Sequence, residues 1–333
     1  MNNPLSGARR RHLKTALSVA LVGAAAPYRA FAQEFPNQPV KLLIPYAAGG
    51  GTDTAARIIA QQMGANLGQQ IVADNRAGAG GAIALDALAK SKPDGYTMAV
   101  GNIGPLAIAQ AVRDDVPYDV FKDFAFVGSA CLIEMVLVIR PGLNITTFEQ
   151  MLAYARSNPG KLTYAVSGGL GTSIHLQMEY LKALAGVNIV AVPYKGEAPA
   201  ITDMLGGHLD IGLITTSLAA PYVKSGKINA LVLPALSRST LLPDVPLDSE
   251  TKAGVDFKAY SWSVLVAPAA TPAPVLGRLN KALNAAVTNP QVIAHLTSQG
   301  FVPTGGTPQE ARDFVRKEAE KWGKIARDNR IRA

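Results

Sequence analysis

The chain has 333 residues and a formal net charge of +8, from 32 Lys and Arg against 24 Asp and Glu. No cluster of Lys and Arg with interleaved aromatic residues occurs, which argues against nucleic acid as a partner. The lone Cys131 excludes an internal disulfide, and His175, His208 and His295 are too far apart for ligand-like spacing, so neither a metal nor a cofactor is expected.

In chain order the first element is an export signal. Arg9, Arg10, Arg11 and Lys14 precede the apolar run TALSVALVGAAA, and Ala30-Phe31-Ala32 offers a small-x-small cleavage site. Residues 1–32 therefore read as a signal peptide cleaved near Ala32, and the mature protein as periplasmic. The run is too short to span a bilayer. Arg9 and Arg10, with Leu13-Lys14 behind, fit a twin-arginine signal, whereas His12 stands where such signals carry an aromatic residue, so both export routes stay open. The plain alternative, a soluble arm, is disfavoured by the cleavage site. Removing the segment also removes Arg29, leaving 27 cations against 24 acidic residues, a net charge of only +3. What remains suits two domains of ordinary size, each able to bury a core.

Strand and helix patterns then alternate. VKLLIPY is a short apolar run of buried-strand type. Ala55, Ile58, Ile59, Met63 and Leu67 follow at helical spacing, with Gly68 as a stop. QIVADN reads as a strand, ALDALAKSK as a helix and YTMAVGN as a strand. Such order argues for a doubly wound parallel sheet. After the apolar run Val127 to Ile139, which takes Cys131 as a small buried residue, the pattern restarts. TTFEQMLAYARSNP, SIHLQMEYLKALAG and AITDMLGG are helices; KLTYAV, NIVAVPY and HLDIGLIT are strands. The last quarter is mostly helical, with Pro274 to Val287, Gln291 to Gln299, and a final helix opened by the capping box Thr307 to Glu310. Ala311, Phe314, Val315, Glu318, Trp322 and Ile325 give that helix one largely apolar stripe.

Two strand–glycine–helix junctions carry the functional reading. IPYAAGGGTDTAAR places Gly49, Gly50 and Gly51 between a strand and a helix, and KLTYAV runs into SGGLGTS, Ser167 to Ser173. In a parallel sheet such junctions lie at the carboxyl ends of strands, where ligands bind. Bare backbone and a helix N-terminus favour an anion. Thr52, Thr172 and Ser173 add hydroxyls, while Asp53 is expected to cap its helix rather than touch an anion. A third junction, VPYKGEAPA, brings Lys195, and DNRAGAGGA is a glycine turn that could edge the cleft. AGAGGA lacks the G-x-G-x-x-G spacing of a dinucleotide fingerprint, and GGGTD lacks the G-K-[ST] ending of a P-loop. Ser173 and His175, two apart on a helix, do not face each other as a catalytic pair.

At these residues the chain resembles the periplasmic solute-binding proteins of tripartite tricarboxylate transporters, the Bug or TctC-like family. The matching segments are FPNQPVKLLIPYAAGGGTDTAAR, DNRAGAGG, KPDGYTM, VPYDVFKDFAFV, NPGKLTYAVSGGLGTSIHL, VPYKGEAPAITDMLGGHLDIG, PYVKSGKINALVL and GTPQEARDFVRKEAEKWGK, from Phe35 to about Asp328. The resemblance implies an α/β type II periplasmic-binding-protein fold: two lobes with mainly parallel sheets around a ligand cleft, and hinge strands near Cys131 to Val136 and Trp262 to Val266. Lobe I would comprise 33–133 and 264–333, and lobe II 134–263. It also implies ligand contacts at Tyr46, Ala48, Gly49, Gly50, Thr52 and Asp53 in the first lobe. Those of the second are Ser167, Gly168, Gly171, Thr172 and Ser173, with Tyr194 and Lys195 nearby. His175 either touches ligand or sits hydrogen-bonded to backbone under the site.

Two departures from the family pattern bear on the ligand. SGGLGT carries Leu170 where the usual S-S-G-N-G-T has Asn, and Ile214 stands where many relatives carry the last Asp of D-x-x-F-D. Both remove polar groups, which favours an aromatic or short aliphatic acid over citrate or an amino acid. The function implied is a monomeric, non-enzymatic periplasmic receptor that captures a small carboxylate and delivers it to membrane transporter subunits; the alternative is an exported ligand sensor feeding a signalling protein.

Overall fold

The apolar stretch VKLLI forms β1, Val40–Ile44, and the glycines that follow release the chain into helix α1, Gly51–Leu67, closed by Gly68 at φ 73°. The computed structural model describes residues 35–331 apart from 236 and 256, so the signal peptide read over 1–32 lies outside the described residues. Next come β2 (Ile71–Asn75), α2 (Ala82–Ala89), β3 (Thr97–Asn102), β4 (Phe124–Ile133) and β5 (Met135–Ile139). After them run α3 (Phe148–Ser157), β6 (Thr163–Ser167), α4 (Ser173–Ala185), β7 (Val190–Tyr194), α5 (Glu197–Leu205), β8 (Ile211–Thr215) and α6 (Thr216–Lys224). The chain ends through β9 (Asn229–Val232), β10 (Ser261–Pro268), α7 (Ala273–Val287), α8 (Pro290–Ser298), β11 (Phe301–Gly305) and α9 (Pro308–Asp328).

These strands form two sheets within one compact unit that begins at Gln38, ordered β11-β4-β10-β3-β1-β2 and β7-β6-β8-β5-β9. The sheets are mixed, not mainly parallel. β1 runs parallel to β2 and β3, and β6 to β7 and β8, but β10 is antiparallel to β3 and β4, β11 to β4, and β5 to β8 and β9. The physical reason is connectivity. The chain leaves the first sheet along β4 and re-enters it along β10, so those two strands point opposite ways. The apolar run read over Val127 to Ile139 is thus two strands in two sheets, broken at Glu134. The Glu134 N–H donates to the Gly300 carbonyl at 3.3 Å, and its carbonyl accepts from the Thr216 N–H at 3.0 Å. All of β10 from Ser261 onward pairs with β4, so Trp262 and Ser263 sit in the first sheet rather than on the lobe II side of residue 264.

Each sheet has its own core. Leu43, Leu85, Phe124, Trp262, Val264, Val315 and Trp322 are buried around the first. Val136, Ala165, Ile201, Met204 and Ile214 are buried around the second. α9 shows how one stripe docks. Thr307 and Glu310 form the expected capping box, and Ala311, Val315 and Trp322 are buried. Glu318, the polar member of the stripe, accepts hydrogen bonds from the indole N–H of Trp262 at 3.0 Å and of Trp322 at 3.1 Å, which satisfies three buried polar groups together. Cys131 is buried in β4, and burial pushes its thiol up to about 12, the chemistry of an inert small residue.

Candidate functional site

Three strand–turn–helix junctions converge on one cavity of about 160 Å³ between the sheets. They are the β1–α1, β6–α4 and β7–α5 turns, each at the carboxyl end of a parallel strand. Ile133, Met135 and Ser261, at the ends of the strands that carry the chain between sheets, also line it.

In the first turn Tyr46, Ala48, Gly49, Gly50, Thr52 and Asp53 all line the cavity. Asp53 is not the N-cap. Gly50 holds that position and α1 begins at Gly51, so Asp53 lies in the first turn and reaches back to accept the Gly49 N–H at 3.0 Å. Its carboxylate also accepts from Arg57 Nε at 2.9 Å and Asn75 Nδ2 at 2.8 Å. Burial pushes the Asp53 carboxyl up, but these hydrogen bonds and the Arg57 charge outweigh it and hold it below the ordinary range. The Gly49 amide is therefore in use. The first helical bond is donated by Thr54 to the Gly50 carbonyl, so the Gly51, Thr52 and Asp53 amides have no acceptor inside the helix. Gly51 has a separate reason to be glycine: a Cβ there would lie 2.7 Å from Thr215 Cγ2 and Oγ1, on the second sheet. The Tyr46 hydroxyl donates to Asn102 Oδ1 at 3.0 Å, and burial pushes it up to about 12.

The second turn is built differently. Gly168, Gly169 and Gly171 have φ of 89°, 89° and 79°, a region that disfavours any side chain. Their amides donate to the Tyr194 carbonyl at 2.8 Å, the Val166 carbonyl at 3.1 Å and His175 Nδ1 at 3.3 Å, and the Thr172 hydroxyl donates to the Gly169 carbonyl. Ser167, Gly168, Thr172 and Ser173 line the cavity, whereas Gly171 does not. The first bond of α4 runs from Leu176 to Thr172, so the Ser173 and Ile174 amides, at the cavity wall, lack a helical acceptor. The Ser167 hydroxyl is buried without a hydrogen-bond partner. His175 is buried behind the loop and holds its backbone. Burial pulls its imidazole below the ordinary range, in keeping with an unprotonated Nδ1 that accepts.

At the third turn Lys195 lines the cavity, but Tyr194 does not; its hydroxyl donates outward to Asp203 at 2.8 Å and its carbonyl supports Gly168. The glycine turn at DNRAGAGGA does not line the cavity. Gly80 packs instead against Gly171 and Thr172. Both positions from which a less polar ligand was read lie elsewhere. Leu170 is exposed to solvent, and Ile214 is fully buried in the second core, because alternation along β8 sends Thr215, not Ile214, to the cavity. The apolar wall comes from Ile133, Met135, Ile174 and Pro199.

Among the lining residues that sequence reasoning missed are Gly51, Asn102, Ile133, Met135, Ile174, Gln177, Glu197, Pro199, Thr215 and Ser261. Glu197 was legible in outline: VPYKGEAPA is a strand–turn–helix like the other two, and α5 starts at Glu197, three residues before the expected Ala200. Ile133 and Met135 flank the polar break at Glu134. Asn102, Gln177, Thr215 and Ser261 carry no local signal. Among the described residues no group of three His, Cys, Asp or Glu is placed to hold a metal, and no helix is long and apolar enough to cross a membrane.

Residues 55–331 match the family described as "Tripartite tricarboxylate transporter family receptor". Three solved structures are similar over nearly their whole length. An R. palustris protein with adipate has a TM-score of 0.85 at 32% identity, covering 90% of this chain and 99% of that one. The periplasmic binding protein BugD gives 0.84 at 29%, with 90% and 99% covered. MatC from Rhodopseudomonas palustris with bound malate gives 0.81 at 31%, with 87% and 99% covered. The fold is that of the periplasmic binding proteins.

Proposed function

The chain belongs to the tripartite tricarboxylate transporter receptor family, a family of receptors rather than enzymes, and from that premise we propose that it captures a small carboxylate in the periplasm and delivers it to a tripartite membrane transporter. In this reading the two sheets are the cores of two lobes, 33–133 with 261–333 and 134–260, the second boundary moved to the start of β10, and residues 1–32 are removed on export. The ligand closes the lobes because it contacts both only when they are shut, and that differential affinity is what drives the change.

The observation that carries the proposal is the convergence of three helix N-termini on one cavity, with the α1 and α4 first-turn amides at its wall and the Ser167 hydroxyl unpaired. Partial positive charge and unused donors at one place are what a carboxylate needs. Tyr46, Ala48, Gly50, Thr52, Ser167, Gly168, Thr172, Ser173 and Lys195 are the proposed contacts. Gly49, Asp53, Gly171 and Tyr194 shape the loops around them. The apolar wall of Ile133, Met135, Ile174 and Pro199 favours an aliphatic or aromatic remainder. Adipate and malate, bound by two structural relatives, are acids of suitable size.

The test is mass spectrometry of ligand released from natively purified protein, followed by thermal-shift titration with a panel of mono-, di- and tricarboxylic acids. A specific acid should raise the melting temperature as its concentration rises. Stronger shifts with citrate or aspartate than with every aliphatic or aromatic acid would reverse the ligand class, and no shift with any acid would remove the receptor reading itself.

A further inference from the structure

Glu197 opens α5 at the cavity wall, is 9% exposed, and has a divided carboxyl group. One oxygen, Oε1, accepts from the Thr215 hydroxyl at 2.8 Å and the Thr215 N–H at 3.2 Å. The other, Oε2, is buried with no hydrogen-bond partner. A buried carboxylate without a counter-charge is costly, and a buried carboxyl oxygen left unpaired is costly too.

The charged and titratable groups on the surrounding elements do not resolve this. Asp53 on α1 is held by Arg57, Asn75 and Gly49. Glu134 between β4 and β5 accepts from Ser239, and His175 on α4 accepts from Gly171. Lys195, on the same turn, is exposed, and among the described residues no ion pair joins it to Glu197. Thr215 is its hydrogen-bond partner in the protein, and both Thr215 bonds go to Oε1. A proton on Oε2 removes the charge and turns that atom into a donor beside the cavity.

We propose that Glu197 is a ligand-contact residue that works in its protonated form, donating from Oε2 to an acceptor oxygen of the ligand. The proposal rests on the carboxylate-receptor reading and deepens it. The preferred ligand carries a second oxygen acceptor, as in a dicarboxylic, oxo or hydroxy acid, and capture above the titration point of Glu197 takes up one proton. Burial pushes the Glu197 carboxyl up, against the Thr215 hydrogen bonds that lower it, which agrees in direction. The bland role, a tie between α5 and β8, is fulfilled by Oε1 alone and leaves Oε2 unexplained.

The test uses the full mature chain, wild type and Glu197→Gln, a neutral near-isostere that keeps a donor. Calorimetric affinities for butyrate, benzoate, adipate, malate and aspartate are measured between about pH 5 and pH 8, and the Glu197 side-chain carboxyl is followed by carbon NMR. The expected result is that adipate or malate binds better than butyrate. Wild-type affinity falls by about tenfold per pH unit above the Glu197 titration point, as one linked proton requires. Glu197→Gln should bind with pH-independent affinity close to the wild type's acidic limit. Wild-type affinity that rises with pH, a carboxyl that titrates in the ordinary carboxylate range, or tightest binding of aspartate abolished in Glu197→Gln would each overturn the proposal, the last in favour of an ionised Glu197 facing an ammonium group. Binding of an acid with no dependence on pH or on Glu197 overturns this proposal alone. Absence of binding by every acid to either protein removes the receptor reading together with it.

Discussion

In the first glycine turn only Gly49 needs a positive φ, and its amide is bonded to Asp53 in the first turn of α1. In the second, Gly168, Gly169 and Gly171 all need one, and all three amides are bonded inside the protein. Similar strings of glycine therefore answer different demands. Gly50 and Gly51 supply clearance, one toward the cavity and one toward Thr215 across it. The second set supplies handedness, so that the chain can double back and present Ser167 and the start of α4. In both turns the donors left free for an anion belong to the helix that follows the glycines, not mainly to the glycines.

The largest expected effect tests clearance at the first turn. Gly50 sits at φ −82°, ψ 169°, and a Cβ there meets nothing nearer than the Ala47 carbonyl at 4.0 Å. Gly50→Val should leave the unliganded protein folded and cost at least about 100-fold in ligand affinity, about 2.7 kcal/mol, read by calorimetry. A variant with normal affinity would remove the first turn from the site. Next comes Gly51→Ala, whose Cβ meets Thr215 at 2.7 Å. Overpacking of this kind costs about 1–3 kcal/mol, here against approach of the two sheets. Thr215→Ala should restore part of it, and a double-mutant cycle with no coupling would show that the two do not meet in solution.

The second turn predicts the opposite separation. Gly169→Ala meets no atom within 4 Å but must hold φ 89°, so it should cost about 1–2 kcal/mol of stability with little change in affinity for whatever stability remains. A large affinity loss at unchanged stability would mean that this turn, like the first, is there for clearance. The smallest effect concerns its support. The imidazole of His175 is held below its ordinary value by burial, so the unfolded chain takes up that proton first. The contribution is present above about pH 6.5 and is lost as pH falls below it toward the folded value. His175→Asn, which keeps an acceptor for the Gly171 amide, should flatten the melting temperature across that acidic window. An identical pH profile in the variant would place the acid sensitivity elsewhere.

Much of the fold is legible because it is local. Hydrophobic periodicity, Gly68 as a stop, the Thr307–Glu310 box and the stripe of α9 all act within a few residues, and each appears where the pattern placed it. The lining of the candidate cavity was legible where it repeats a local motif, in Gly50, Thr52, Ser167, Thr172 and Ser173. It was misread where one residue decides a face. Ile214 and Thr215 are neighbours in β8, and only the register of that strand against β5 sends one to the core and the other to the cavity.

By itself, then, the sequence determined the succession of strands and helices, the glycine turns between them and the family to which they belong, since these rest on backbone propensity and short-range pattern. Only the tertiary structure decided which amides are already used, that the sheets are mixed, and that Glu197, Thr215, Met135 and Ser261 meet beside those turns. Those facts depend on how two sheets are placed against each other through Glu134 and β10. No window of a few residues contains the long-range contacts that fix that placement.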